Sequence, residues 1–254
     1  LYVYLQGGLG NQMFQYAAGV SALKEYPQFS NLKLDASFYN DQERKVVVNG
    51  MTGRGYDLDL LNIQYNEIEE APEGATMLEG FFQNISEFEN VIDDIKNQFK
   101  FSIKFSDQIE KLNQQIECEK NSVSIHVRRG DFINNPAAYS YNEQMDHNYY
   151  EKAMSILENS YNDLTYYVFS EDIEWCKKNI KSKHRIVFVG NEYSGDRDSG
   201  HLYLMQSCKN HIIANSTYSW WGAFLSDSNI VIGPKKWNKS QNGSDIMLDN
   251  WIKI

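Results

Sequence analysis

The sequence is poor in proline, cysteine and positive charge, and it has no long apolar run. Four prolines in 254 residues exclude extended Pro-rich linkers. Three cysteines, Cys118, Cys176 and Cys208, are widely spaced and odd in number. They make neither a disulfide framework nor a Cys-x-x-Cys pair, so a reducing compartment is the simpler reading. Lys and Arg number 24 against 34 Asp and Glu, a net charge of −10. A chain of that sign lacks the cationic face that nucleic acids require. No apolar stretch approaches the ~18 residues of a membrane span, and no signal-peptide pattern opens the chain. The expectation is a cytoplasmic protein without a transmembrane segment, with at most peripheral association with an inner membrane. What is present is a hydrophobic share of 42%, enough for a real core, and 14% aromatic residues, including 17 Tyr and 5 Trp, which suits stacking surfaces as well as packing.

The run Leu1-Tyr2-Val3-Tyr4-Leu5 reads as a buried strand, and Gly7-Gly8-Leu9-Gly10-Asn11 follows it at once. Met13, Phe14, Ala17, Ala18 and Ser21 then recur at helical spacing, with Asn11 placed as the cap. Strand, glycine turn and helix form the first half of a βαβ unit, with 32–35 as its second strand. Residues 40–75 are polar and turn-rich, 77–82 form an apolar island, and 86–116 carry one amphipathic helical pattern. Beyond them, apolar runs at 123–127, 166–169, 186–189, 211–214 and 230–232 alternate with helix-like stretches at 149–159, 171–180, 200–209 and 219–226. That alternation predicts a parallel sheet covered on both faces. Polar residues at 117–121 precede the fresh strand, so two α/β lobes are predicted, 1–118 and 119–254, with a cleft between them.

Four constellations bear chemistry. Gly8 and Gly10, with Asp35 ending a later strand, resemble a dinucleotide fingerprint, although Met13 occupies the position of its third glycine. The same turn has two other readings: a tight βα connection, or a cleft-lining loop whose Asn11 and helix N-terminus meet a ligand oxygen. In Val123-Ser124-Ile125-His126-Val127-Arg128-Arg129-Gly130-Asp131, alternation sets Ser124, His126 and Arg128 on the face opposite Val123, Ile125 and Val127. Arg128, Arg129 and Asp131 fall beyond the carboxyl end of a parallel strand, where ligands bind, and a guanidinium grips a diphosphate bidentately. Adjacent arginines point apart, so Arg128 is assigned to the ligand and Arg129 to carboxylates of its own lobe. Asn215, Ser216, Thr217 and Ser219 open a helix directly after a strand, an arrangement for a phosphate as well as for simple capping. Glu171 and Asp172 follow another strand, either as acceptors for a guanine edge or as the acidic first turn of a helix. The triplets Asp57-Leu58-Asp59 and Asp196-Arg197-Asp198 follow no convincing strand, so no metal and no cofactor are expected.

Taken together, 7–16 (GGLGNQMFQY), 80–83 (GFFQ), 126–131 (HVRRGD), 169–175 (FSEDIEW) and 212–222 (IIANSTYSWWG) resemble glycosyltransferase family 11, the α-1,2-fucosyltransferases. The resemblance implies an α/β, GT-B-type fold with two Rossmann-like lobes, 1–118 on the acceptor side and 119–254 binding the donor. It also implies inverting, metal-independent transfer of L-fucose from GDP-fucose to a galactose-containing glycan, with Arg128 on the diphosphate and Asn215, Ser216 and Ser219 on the nucleotide side. Asp131, then His126, are candidate general bases for the acceptor hydroxyl. Two other classes stay open at this point: an NAD-dependent Rossmann oxidoreductase and a non-catalytic glycan-binding module.

Overall fold

The computed structural model describes residues 1–44, 46–48, 51–130, 145–239 and 246–254. The chain divides into two compact units, Leu1–Lys104 and Phe105–Ile254.

In the first unit, strands β1 (Tyr2–Tyr4), β2 (Lys33–Asp35) and β5 (Met77–Leu78) form a parallel sheet in the order β2-β1-β5, while β3 (Val47–Val48) and β4 (Met51–Thr52) make a small antiparallel hairpin. The helix Leu9–Glu25 buries Met13, Phe14, Tyr16 and Ala17 completely. Its N-cap is Gly8, and Asn11 lies inside the first turn rather than capping it. The left-handed backbone falls on Gly7 alone in this turn, at φ 79°. Two buried glutamines do what no spacing argument disclosed. Gln12 donates from Nε2 to the carbonyls of Gly7 (3.2 Å) and Gly55 (2.8 Å) and accepts from the Asp57 amide (2.9 Å). Gln15 accepts from the Gln6 amide and donates to the Gly80 carbonyl, each at 3.0 Å. The strand–helix turn is thereby stapled to two separate loops, at 55–57 and at Gly80.

The second unit holds a six-stranded sheet in which every pairing is parallel: β6 (Ser122–Val127), β7 (Thr165–Ser170), β8 (Arg185–Val189), β9 (Asn210–Ile212), β10 (Ile230–Gly233) and β11 (Ile252–Lys253), in the order β11-β10-β9-β6-β7-β8. On one face Val123, Ile125 and Val127 pack with Tyr149, Tyr150, Met154 and Leu157 of the helix His147–Ser160. On the other, Tyr167, Phe169 and Val189 meet Leu204 and Met205 of the helix Ser199–Gln206 and Ile109, Leu112 and Ile116 of the helix Asp107–Cys118. Full burial of each such side chain contributes about 1.5–3 kcal/mol. Among the described residues, no helix is long and apolar enough to cross a membrane.

Two expectations need correcting. The single pattern at 86–116 is two helices, Ile92–Gln98 and Asp107–Cys118, with Phe99 buried and Phe101 bridged to Leu61 between them. The division between units therefore falls at Lys104/Phe105 and not at 118/119. The apolar stripe of Asp107–Cys118 is spent on the second sheet, and the polarity at 117–121 marks only that helix's end.

Replacing Gln12 by Leu roughly keeps its volume and deprives the buried Gly55 carbonyl and the Asp57 amide of their partner, while the Gly7 carbonyl keeps the Tyr39 hydroxyl. The expected loss is about 3 kcal/mol of unfolding free energy, read from urea denaturation. An unchanged midpoint would show that the glutamine staple is dispensable.

Candidate functional site

The strand order places β6 between β7, which follows it in the chain, and β9, which comes after the sheet has been extended through β8. This is the point where the order reverses, and ligands in open α/β sheets bind beyond the carboxyl ends of the strands there. Arg128 and Arg129 lie beyond β6, Glu171 and Asp172 beyond β7, and Asn215, Ser216 and Thr217 beyond β9.

Register decides which of these meet. Along β6 and β7 partners are 43 residues apart, from Ser122↔Thr165 to Val127↔Ser170. Carried past the strand ends, the same offset sets Arg128 opposite Glu171 and Arg129 opposite Asp172, and both ion pairs form. Arg128 Nη1 is 2.5 Å from Glu171 Oε1, and Arg129 Nε is 3.0 Å from Asp172 Oδ2. Arg129 also lies over the Trp175 ring at 4.3 Å. The expected split, one arginine for a ligand and one for internal carboxylates, is thus modified: both face a carboxylate. The two acidic residues separate as well. Asp172 is the N-cap of the helix Ile173–Asn179, accepting from the Trp175 amide at 3.0 Å, while Glu171 precedes the helix and goes to Arg128. A Cβ on Gly130 would come within 2.5 Å of Glu171 Oε1, so the glycine makes room for that carboxylate.

Beyond β9, the helix Thr217–Phe224 starts from Ser216 with no side-chain cap, whereas Ser106, Asp146 and Asp172 each cap their own helices. The hydroxyl cluster divides. Ser219 is buried and donates to the Ser216 carbonyl at 3.2 Å, and the buried Asn215 amide donates to the Trp237 carbonyl at 2.8 Å. Ser216 and Thr217 stay partly exposed. The helix is anchored from behind by Trp220 and Trp221, both fully buried, with Trp220 Nε1 donating to the Ile246 carbonyl at 2.7 Å.

His126 joins the two segments: its ring is 5.9 Å from that of Tyr218. It is 6% exposed, and its Nδ1 is buried with no hydrogen-bond partner among the described residues. Burial, helped by the charge on Arg128, holds the imidazole down at about 3. Asp131 lies outside the described residues.

The whole chain, residues 1–254, matches the family Glycosyl transferase family 11. The chain belongs to that family. It is 32% identical over 296 residues to an alpha-1,2-colitosyltransferase of Escherichia coli, covering 98% of this chain and 97% of that one. Over 110 residues, 43% of this chain and 30% of the relative, it is 32% identical to galactoside 2-alpha-L-fucosyltransferase Sec1 of Mus musculus. In three dimensions it resembles the NodZ alpha-1,6-fucosyltransferase co-crystallized with GDP, with a TM-score of 0.54, 11% identity and coverage of 89% and 91%. The fold is of GT-B type and the protein is a glycosyltransferase.

Family 11 membership disposes of the oxidoreductase reading, and the geometry agrees. Both oxygens of Asp35, the residue a ribose would need, accept backbone amides, from Ser37 and from Ala71, each at 2.9 Å. Gly8, Gly10 and Asn11 lie in the first unit, where Asn11 Oδ1 accepts from Gln83 Nε2 at 3.0 Å. Of the acidic triplets, Asp57 pairs with Arg44 at 2.8 Å and Asp196 with Arg197 at 3.2 Å. Residue spacing missed Tyr218, whose hydroxyl donates to the Asp198 carbonyl, and it missed His211. His211 sits on β9 with Nδ1 2.7 Å from Ser124 Oγ on β6 and Nε2 2.8 Å from Ser226 Oγ. Only the pairing Ser124↔His211 reveals that chain.

The burial of two histidines predicts an acid-sensitive fold. His126 and His211 are each held at about 3 by burial, whereas an unfolded histidine titrates near 6.5. Between those values the unfolded chain binds more protons, so stability falls as pH drops from about 6.5 towards 3. The urea midpoint should therefore decline below about pH 6.5. His126→Gln and His211→Gln should each flatten that decline, by up to about 1.4 kcal/mol per pH unit. Equal slopes in wild type and both variants would contradict the assignment.

Proposed function

We propose that this glycosyltransferase moves L-fucose from GDP-fucose to a hydroxyl of a galactoside in α-1,2 linkage, with inversion and without a metal. The observation that supports the reading is that Arg128 and the start of Thr217–Phe224, which Ser216 does not cap, follow the carboxyl ends of the adjacent strands β6 and β9 at the switch point. One supplies a planar cation and the other a helix N-terminus, the two elements that stabilise a diphosphate. The buried Nδ1 of His126, which has no hydrogen-bond partner among the described residues, supports the reading as a polar group available to a donor nucleotide.

In the reaction proposed, the acceptor hydroxyl oxygen forms a bond to the anomeric carbon as the bond from that carbon to the GDP oxygen breaks. The sugar passes through an oxocarbenium-like state and the electron pair leaves with GDP. Charge grows on the departing phosphate, so Arg128 and the helix N-terminus bind the transition state more tightly than the ground state. The hydroxyl proton goes to a base. A His126 imidazole held at about 3 is a poor acceptor near neutral pH, which leaves Asp131, three residues past Arg128, as the proposed base. Arginine and helix dipole neutralise the diphosphate without a divalent ion, and the acidic triplets are engaged with Arg44 and Arg197. The relative named for colitosyl transfer spans nearly the whole chain, which favours a second reading: a donor whose sugar lacks the 3-hydroxyl of fucose.

Two experiments test these readings. In a donor screen run in excess chelator, GDP-fucose should turn over and UDP-sugars should not. Preference for GDP-colitose would select the second donor, and activity restored only by Mg²⁺ or Mn²⁺ would overturn metal independence. In the second, Arg128→Ala should lower kcat roughly 10²–10³-fold, the usual effect of losing a preorganised donor to developing charge, with a smaller change in donor KM. Arg128→Lys should recover only part of that, because the fork is lost. Arg129→Ala should lower Tm at least as visibly as turnover, since its ion pair and ring contact are internal. If a folded Arg129→Ala protein is dead and Arg128→Ala retains full turnover, the two roles are reversed.

A further inference from the structure

The loop that follows β5 in the first unit holds an aromatic ring in water at a fixed place. Phe81 is 46% exposed. A lone exposed phenylalanine is ordinary, but this one sits on a loop built to hold its shape. The fully buried Gln15 donates to the Gly80 carbonyl at 3.0 Å, and the Asn84 amide donates to the Phe82 carbonyl at 2.9 Å. Gln83 Nε2 donates to Asn11 Oδ1 at 3.0 Å, tying the loop to the first turn of Leu9–Glu25. Phe82 has φ of 49°, a left-handed conformation that bulky side chains resist. Its ring lies back against Gly80, where a Cβ would stand 3.2 Å from Phe82 Cζ. Adjacent phenylalanines are thereby separated, one ring folded on the loop and the other facing solvent. Strain of this kind persists where surrounding contacts over-determine it, and ligand clamps are where it gathers.

β5 runs parallel beside β1, so Phe81, Gln83, Asn11 and the glycine turn share the carboxyl end of this sheet. At that end stand an exposed aromatic ring, Phe81, and a pair of neutral side-chain amides, Asn11 and Gln83, both partly exposed. That combination fits a pyranose: its apolar C–H face lies on a ring, and its hydroxyls match amide donors and acceptors. We propose that Phe81 is the stacking platform for the acceptor galactoside, with the Asn11–Gln83 amide pair meeting a hydroxyl beside it. The proposal rests on the reading of the reaction given above.

Initial rates with GDP-fucose and lactose test it. Phe81→Ala should raise lactose KM about tenfold or more, the scale of a lost aromatic contact, leaving donor KM within about twofold and Tm unchanged. Phe81→Tyr and Phe81→Trp should restore the acceptor KM. Saturation-transfer NMR with methyl β-D-galactoside, without donor, supplies a readout independent of turnover: wild type should show contact and Phe81→Ala should lose it. Acceptor KM and galactoside contact indifferent to Phe81→Ala overturn the platform, as does a rise confined to donor KM. If wild type contacts the galactoside through Phe81 yet transfers nothing from GDP-fucose, the donor reading fails and the platform stands. If wild type transfers fucose with kinetics indifferent to this residue, the donor reading stands and the platform falls.

Discussion

The register of β6 against its two neighbours is the constraint on which the second unit depends. One offset, 43 residues towards β7, delivers Arg128 to Glu171 and Arg129 to Asp172. The other, 87 residues towards β9, joins Ser124 to His211 and, continued past the strands, sets Arg128 level with Asn215. A slip of one residue on either side would turn every side chain of a strand to the opposite face. Val123, Ile125 and Val127 would leave their apolar layer, and the arginines would lose their partners.

The ion pairs at the strand ends are strong enough to orient and weak enough to exchange. Arg128 and Glu171 are both partly exposed, and pairs of that kind are worth about 0–1 kcal/mol because water and salt screen them. Under the proposed function, a diphosphate in reach of the same guanidinium displaces or shares that contact at low cost. Arg129 differs in having a ring beneath it and a carboxylate already committed to capping a helix.

Both units give their glycine, arginine and hydroxyl motifs a rigid backing of uncharged polar contacts. Gln12 and Gln15 do this in the first unit, and His211 with Ser124 and Ser226 in the second. Such groups are costly to bury unless satisfied, and once satisfied they permit few alternative arrangements. The helix behind Ser216 has a further anchor in the ring cluster of Trp220, Trp221, Phe224 and Trp251.

The alternation of apolar runs and helical stretches after residue 122 determined a parallel α/β sheet, because periods of 2 and 3.6 differ too much to be confused over such lengths. The motifs at 7–16, 126–131 and 212–222 carried the family resemblance for the same reason of local order: each is a contiguous run whose residue types and spacing can be read without knowing any distant partner. What the sequence left open was everything set by distant partners. Asn11 looked like a cap until Gly8 took that position. Glu171 and Asp172 looked equivalent until register sent one to Arg128 and made the other an N-cap. The stripe of Asp107–Cys118 is plain in the sequence, but which sheet it covers is not, and so the boundary moved to Lys104/Phe105. Local spacing records which face of an element is apolar; only tertiary structure decides what that face meets, because the partner lies tens of residues away and no period connects the two.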